Sequence, residues 1–521
     1  MKEFFGNMLS RLASRKLGMF ILGLQLIASV GLVVLVERLH ILKPLYISAG
    51  AAVLFVLFVL MVMAVSAKSG AHVAGQVLSF VFAAIFAFAG MYVFKTRDAL
   101  GSMTGNRLES QKICIYVLKT NAAETINDLA EGTFGYFDDD VNSKVKATLD
   151  EIEGNLNTTI EKKAYLDAAT TVQALYDGKI DAIVMDESYV SVVEERKEYK
   201  EFSEKTKVLE TYEHKSEIKQ TAVSDVTKTP FTVFLSGIDT YGDVNKKSRS
   251  DVNMTATVNP TTKTILLLST PRDYYVETTV SKGMKDKLTH AGLYGIECSM
   301  GTLQKLYDTD INYYVRVNFS GFKDVVDALG GLRVYSDYTF TTRHSKVSFK
   351  EGYNDVNGEQ ALAFARERYA FAAGDIQRNK DQRHVVEAFI KKVSSPAVLT
   401  RFDKILASVQ KNFTTNLEYN DLAALVQMQL GDPTEWTVIT VGVEGEGKKR
   451  TTYSDQHHYA YVMFPDEVQV ANASKLIDEV IAGKKLTQEE AENILKMRTV
   501  YDGTTPVSAS ATPSATKSAS N

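Results

Sequence analysis

The chain has 521 residues, 45% of them apolar, and a formal net charge of −4. That length exceeds one compact domain, and the near-neutral charge excludes a protein whose whole surface is a nucleic-acid footprint, because such a surface is basic. Two cysteines, Cys114 and Cys298, lie in separate candidate domains without zinc-type spacing, which excludes a disulfide scaffold and predicts unpaired thiols.

Three uncharged apolar runs come first, Leu17 to Val36, Leu45 to Ser66 and Val73 to Phe94. Each holds about 20 residues, the length at which a helix crosses a hydrocarbon core. A cleaved leader would account for one such run, not three. Lys2, Arg11, Arg15 and Lys16 precede the first run, so the preference of basic flanks for the cytoplasmic side predicts a cytoplasmic N-terminus and an external position for everything past Phe94. Residues 1–107 are therefore expected to form a three-helix anchor with a Gly- and Ser-containing linker.

Residues 108–225 read as a small α/β accessory domain. Ile113 to Leu118 predicts a strand. Ala122 to Glu131, Val141 to Leu156 and Thr170 to Tyr176 predict helices, the last stopped at Gly178. Asp181 to Met185 predicts a buried strand and the charged stretch after it a helix. Glu217 to Thr229 is polar and linking.

Residues 226–500 read as a second α/β domain. Phe231 to Ile238 predicts a buried strand, and Val252 to Val258 with Thr264 to Ser269 a hairpin turning at Asn259-Pro260. Helices are expected at Ser299 to Tyr307, Phe319 to Leu329 with a Gly330-Gly331 stop, Gln377 to Val393, Phe402 to Lys411, and Asn420 to Leu430 with Asn420 as its N-cap. Strands are expected at Tyr313 to Val317 and Trp436 to Val441. Residues 501–521, almost entirely Ser, Thr, Ala and Pro past Asp502, cannot bury a core and are expected to be disordered.

The second domain carries charge just beyond its strand ends, where α/β folds place their sites. Asp239 ends S-G-I-D, Arg249 and Asp251 stand in S-R-S-D, and Arg272 and Asp273 stand in S-T-P-R-D. Taken singly, a strand-end aspartate is more often a turn former. Arg366 and Arg368, in F-A-R-E-R, read in isolation as a solvated helix end with Glu367. Arg378 and Gln382, four apart on a helix, share one face, read as distinct from the apolar face of Val385, Val386, Phe389, Ile390 and Val393. Arginines that converge bind phosphate in bidentate fashion, and carboxylates beside them suit a hard divalent ion.

The ordered stretches S-R-S-D-V-N-M-T-A-T-V-N-P (248–260), L-L-L-S-T-P-R-D-Y-Y-V (266–276), K-L-T-H-A (287–291), I-N-Y-Y-V-R-V-N-F-S-G-F (311–322), V-D-A-L-G-G (326–331) and G-E-Q-A-L-A-F-A-R-E-R (358–368) together resemble the LytR–CpsA–Psr family of cell-envelope phosphotransferases. The resemblance implies a catalytic domain with a mixed central sheet flanked by helices and an apolar tunnel for a prenyl chain. It implies an enzyme that moves a glycopolymer, teichoic-acid-like or capsular, from a polyprenyl (undecaprenyl) diphosphate carrier to a peptidoglycan hydroxyl, outside the membrane and without nucleic acid. Diphosphate contacts then fall on Arg249, Arg272, Arg366, Arg368, Arg378 and Gln382, and Mg²⁺, or Mn²⁺ in its place, on Asp239 and Asp251. Those two aspartates and Arg272 are the expected catalytic set, with the general base open. One departure stands out: Asp381 occupies a position that is usually basic, just before Gln382. Two other readings, a cell-envelope transcriptional attenuator and a noncatalytic polymer-binding scaffold, rest on the family's history of naming and on the accessory domain. No helix-turn-helix or basic stripe supports the first.

Overall fold

The computed structural model describes residues 15–67, 71–105, 108–137, 143–218, 222–238, 244–395, 404, 405, 408 and 412–503. Asp239, most of the helix expected at Phe402 to Lys411, and the tail from Thr504 onward lie outside the described residues.

Helices α1 (Arg15–Arg38), α2 (Pro44–Ser66) and α3 (Ala71–Met103) carry the three apolar runs, and all three are long and apolar enough to cross a membrane. Their outer faces expose large apolar side chains such as Phe20, Phe55 and Phe88, while Gln25, Gln76 and Ser79 are buried between the helices. That inside-out distribution suits a lipid solvent, in which small residues allow close approach. Gly75 is one such residue, since a Cβ there would lie 2.9 Å from Ala64 Cβ. The Tyr419 hydroxyl donates to Leu39 O at 2.8 Å and ties the anchor to the C-terminal part.

Strands β1 (Leu108–Leu118), β2 (Thr133–Phe137), β3 (Glu161–Tyr165), β4 (Ala182–Asp186) and β5 (Thr206–Glu217) form one sheet in the order β3-β2-β4-β1-β5. Helix α4 (Ser143–Leu156) covers one face, where Ile113, Ile115 and Val117 point. Helix α5 (Ala168–Tyr176) covers the other, with Cys114 and Tyr116. Both cysteines are free and buried.

Two local expectations hold only in part. Ala122 to Glu131 yields only a 3₁₀ turn, Ile126–Leu129, because Thr125 and Asp128 cap each other across a single turn. The charged stretch after β4 is helical only in short segments, among them Val190–Val193 and Phe202–Lys205, and from Thr206 becomes β5, an edge strand paired with β1 from Leu118↔Thr206 to Leu108↔Glu217. Its outward charges, which read as a helix surface, are those that protect a sheet edge.

The second sheet contains β6 (Phe231–Ile238), β7 (Ser250–Asn259), β8 (Thr264–Thr270), β9 (Tyr313–Asn318), β10 (Phe413–Thr415) and β11 (Thr437–Gly442) in the order β10-β9-β6-β7-β8-β11. It is mixed: β6, β7 and β8 are antiparallel neighbours, whereas β9 runs parallel to β6 and β11 parallel to β8. Successive residues of β8 serve opposite cores. Leu266 and Leu268 pack with α6 (Ile296–Tyr307) and Leu476 and Ile477 of the late helix Glu467–Ile481. Ile265 and Leu267 instead meet Val386 and Ile390 of α9 (Asp375–Val393). Both faces being covered explains why β8 reads as an apolar run, Ile265 to Leu268, without alternation. Helices α7 (Phe319–Ala328) and α8 (Gly358–Arg366) follow β9 and precede α9, and Gly330 and Gly331, at φ +80° and +90°, close α7 as expected. The helix Tyr419–Gly431 starts one residue earlier than expected, with Glu418 as its N-cap and no side-chain cap, so Asn420 is inside the helix.

Candidate functional site

The site lies at one end of the second sheet, where β6, β8 and β9 finish and the antiparallel β7 begins. The register along β6 and β7 shifts between Gly237 and Ile238: Gly237 faces Val252 and Ile238 faces Ser250, leaving Asp251 unmatched in a bulge. Bulges re-aim side chains beside sites, and Asp251 is turned toward the loop that leaves β8. There Arg272 Nη1 donates to Asp251 Oδ1 at 2.6 Å, and Thr289 Oγ1 reaches the same oxygen at 3.4 Å.

Arg366 and Arg368 flank the end of α8. Glu367 between them is buried rather than solvated, 4% exposed. Its Oε1 accepts the backbone N–H groups of Arg368, Tyr369 and Ala370 at 3.0, 2.7 and 3.0 Å, and its Oε2 that of Arg343 at 2.6 Å. The carboxylate therefore shapes the turn that presents the two arginines. The Arg366 guanidinium lies 4.3 Å from the centre of the Phe319 ring.

Arg378 and Gln382 come from α9. Arg378 is nearly buried, pairs with Asp375 at 2.9 Å, and has an Nε without a hydrogen-bond partner. Burial first, then the neighbouring Arg272, lowers its basicity, while Asp375 works the other way. Gln382 Nε2 donates to Ala365 O at 3.2 Å, linking α9 to α8.

These side chains line one cavity of about 480 Å³: Asp251, Arg272, Arg366, Arg368, Arg378 and Gln382 at its polar end. The rest of the lining is largely apolar, with Leu235, Val317, Phe322, Val385 and Phe389, and Phe319, beneath the Arg366 guanidinium, belongs to both parts. The two faces assigned to α9 are thus one stripe. Arg378, Gln382, Val385 and Phe389, three and four residues apart, share a helical face, polar near the N-terminus and apolar further on. A larger cavity, about 970 Å³, opens on the outer side of α9 beside Tyr335 and Tyr353 and contains none of the expected residues.

Asp381 is on that outer side. It is 1% exposed and accepts from Gln377 at 2.9 Å, and burial with the nearby Asp337 raises its pKa to about 8. The departure from the family pattern therefore leaves Gln382 in the cavity.

Two expected residues are not among those lining the cavity, one of them, Asp239, because it is outside the described residues. Arg249 does not line the cavity; its Nη1 donates to Glu195, a residue of the first α/β unit. Lys287 Nζ donates to the other oxygen of Glu195 at 3.0 Å, and Arg272 Nη2 lies 3.9 Å from the first. Burial opposes ionisation of Glu195, yet Lys287, His290 and Arg249 hold its pKa down at about 2. Sequence reasoning assigned a role to neither Glu195 nor Lys287. Lys287 opens the K-L-T-H-A stretch, whereas Glu195 sits in a run of mixed charges where nothing singles it out.

Among the described residues no group of three or more His, Cys, Asp or Glu side chains is gathered to hold a metal unaided. A hard ion that draws its other ligands from phosphate and water needs only one or two carboxylates, and Asp251, a hard oxygen donor at the polar end of the cavity, fits that requirement.

The sequence pattern of the LytR_cpsA_psr family matches residues 189–473, more than half of the chain. The chain is similar to the polyisoprenyl-teichoic acid–peptidoglycan teichoic acid transferase TagU of Bacillus cereus, 40% identical over 194 residues, 37% of this chain and 62% of that protein. It is also similar to the transferase of the same name from Enterococcus faecalis, 37% identical over 214 residues, 41% of this chain and 70% of that protein. The match thus spans less than two thirds of the Bacillus cereus relative. The crystal structure of B. subtilis TagV is 29% identical, aligns over 50% of this chain and 99% of its own, and has a TM-score of 0.42. With the arginine-lined cavity at the end of a mixed sheet and a family match across more than half its length, the chain belongs to the LytR–CpsA–Psr family.

Proposed function

We propose that this chain is an extracellular, membrane-anchored phosphotransferase that moves a teichoic-acid-like or capsular glycopolymer from a polyprenyl diphosphate carrier to a peptidoglycan hydroxyl. The observation that carries this reading is the two-ended cavity: arginines at one end, an apolar lining at the other. A lipid diphosphate is divided in the same way. Its prenyl chain would gain by leaving water among Phe319, Phe322, Val385 and Phe389, and its phosphates would receive guanidinium forks from Arg272, Arg366, Arg368 and Arg378. Asp239 and Asp251 would hold Mg²⁺ or Mn²⁺, which when bound adds positive charge against the diphosphate oxygens. The basic residues ahead of α1 support a cytoplasmic N-terminus and an external site.

In the proposed step the acceptor oxygen bonds to the polymer-side phosphorus and loses its proton, while the bridging P–O bond breaks and lipid monophosphate leaves. Charge shifts onto the leaving phosphate, so fixed cations there lower the barrier. Arg272 is the best placed of them. Asp251 holds its Nη1, and burial, which alone would lower its pKa, is outweighed by Asp251, Asp273 and Glu195, which raise it. Arg272→Ala is expected to cut transfer of a lipid-diphosphate-linked saccharide to peptidoglycan by about 10²–10³-fold, with a cooperative melt retained. Normal transfer by the purified variant would remove the basis of this proposal.

A further inference from the structure

The junction between the two α/β units contains a charge cluster in which Arg272 and Asp251 of the transferase site meet Glu195, Arg249 and Lys287, which the transferase reading does not use. Arg249, Arg272 and Lys287 all approach Glu195, with Lys287 at 3.0 Å and Arg272 at 3.9 Å. Asp251 and Asp273 complete the cluster: Asp251 is 2.6 Å from Arg272, and Asp273 is 3.8 Å from both Arg272 and Lys287. Three cations are thus matched by three carboxylates. Two of those carboxylates belong to the loop and strand ends of the second sheet. Glu195 comes from the first unit, in the turn after the short helix Val190–Val193, and 29% of its side chain is exposed. Arg196 beside it is fixed to Asp455 of the second unit, Nε to Oδ2 at 2.9 Å, so the turn is held against the site while the Glu195 side chain remains accessible to water.

We infer that Glu195 is a specificity-determining residue of the transferase site, its carboxylate occupying a seat for a phosphate group between Arg249, Arg272 and Lys287. The inference rests on the diphosphate reading of the cavity. A single phosphate is held by Arg366, Arg368 and Arg378 with the seat still filled by Glu195. A diphosphate extends its second phosphate toward Arg272 and gains Arg249 and Lys287 only by displacing the carboxylate. The resident anion therefore weakens diphosphate binding and leaves monophosphate binding nearly unaffected. Like charges brought together at a site oppose binding, and removing one relieves the opposition.

The test uses the full chain in detergent and titrates farnesyl diphosphate and farnesyl monophosphate calorimetrically. Glu195→Gln keeps the shape of the side chain and removes its charge. It is expected to tighten farnesyl diphosphate about tenfold, an effect within reach of one charge, and to change farnesyl monophosphate by less than about twofold. A purely structural role for Glu195 predicts the opposite for diphosphate, because Arg249 and Lys287 would lose their anchor. Unchanged or weaker diphosphate binding, or an equal gain for both ligands, overturns the inference. Should Glu195→Gln lose its cooperative melt, Glu195→Asp retracts the carboxylate and is expected to give a smaller gain with the same preference; no gain overturns it equally. Arg378→Ala separates the two levels. If it leaves both affinities intact, the diphosphate reading falls and this inference with it. If it loses both while Glu195→Gln changes neither, only the inference falls.

Discussion

Two groups of charged side chains lie close together in this molecule, and they differ in how completely they are neutralised. At the clasp between the α/β units, Arg196 is bonded to Asp455 and lies 4.0 Å from Asp167, which in turn receives His457 at 2.7 Å. Burial opposes the charge on Arg196, and Asp455 and Asp167 more than restore it. In the cavity, Arg368 and Arg378 share one carboxylate, Asp375, at 3.8 and 2.9 Å, and no ion pair of Arg366 is seen among the described residues. Glu367 is close but its oxygens accept backbone N–H groups. A matched group can hold two surfaces together. An excess of cations against an apolar lining leaves positive potential for an anion with a greasy tail, which is why the second group, and not the first, is the candidate ligand site.

The contrast is broken most sharply at the apolar end. Phe389→Asp places a carboxylate among Phe319, Phe322 and Val385. Burying an unpaired charge costs several kcal/mol, so affinity for a polyprenyl monophosphate is expected to fall about 100-fold in a binding titration. Inorganic pyrophosphate, which needs only the polar end, should bind within about threefold of the unaltered protein. A parallel loss of both would mean that the cavity does not divide its ligand into two ends.

The clasp should respond in stability instead. Asp455→Ala leaves Arg196, whose side chain is 12% exposed, with Asp167 alone at 4.0 Å. Removing one partner of a largely buried pair costs about 3–5 kcal/mol, and less where water screens it, so a loss of about 2 kcal/mol is expected in denaturant unfolding of the soluble part. No change there would mean that the clasp is ornamental and that other contacts, such as Tyr189 to Tyr294 at 2.6 Å, join the units.

How much of this was legible in the sequence depends on how many faces of an element are covered. Strands β6 and β8 are packed on both sides, and their apolar runs marked them. Edge strand β5 has charges facing outward, and only its full-length ladder with β1 makes it a strand; that information lies about 100 residues away in the chain. Arg272, Arg366, Arg368, Arg378 and Gln382 were found through ordered motifs, since singly each had a plain surface or turn explanation. The α9 stripe was misdivided because its polar and apolar halves are sequential along one face. Glu195 was beyond reach, because its meaning comes from Arg249 and Lys287 in another unit.

The outer side of α9 leaves the ligand site untouched and gives a test of sign. Burial raises the Asp381 pKa to about 8, with Asp337 adding to the shift and Gln377 opposing it. In the unfolded chain the same group ionises near the ordinary carboxylate value. Below that value both states are protonated and the contribution of Asp381 to stability is intact. As pH rises, the unfolded chain loses the proton first, so stability falls, and the fall is complete once the folded group ionises near pH 8. Asp381→Asn keeps a polar partner for Gln377 without a proton to lose. It should therefore match the unaltered protein at pH 4 and exceed it by up to several kcal/mol at pH 8, since each tenfold difference in acidity between the folded and unfolded chain is worth about 1.4 kcal/mol, and melt at a clearly higher temperature there. The cavity is the control: Asp381 is on the side of α9 away from Gln382, so farnesyl monophosphate affinity should be unchanged at both pH values. A stability gain at pH 4 equal to that at pH 8 would mean that Asp381 destabilises by poor packing, with its charge irrelevant.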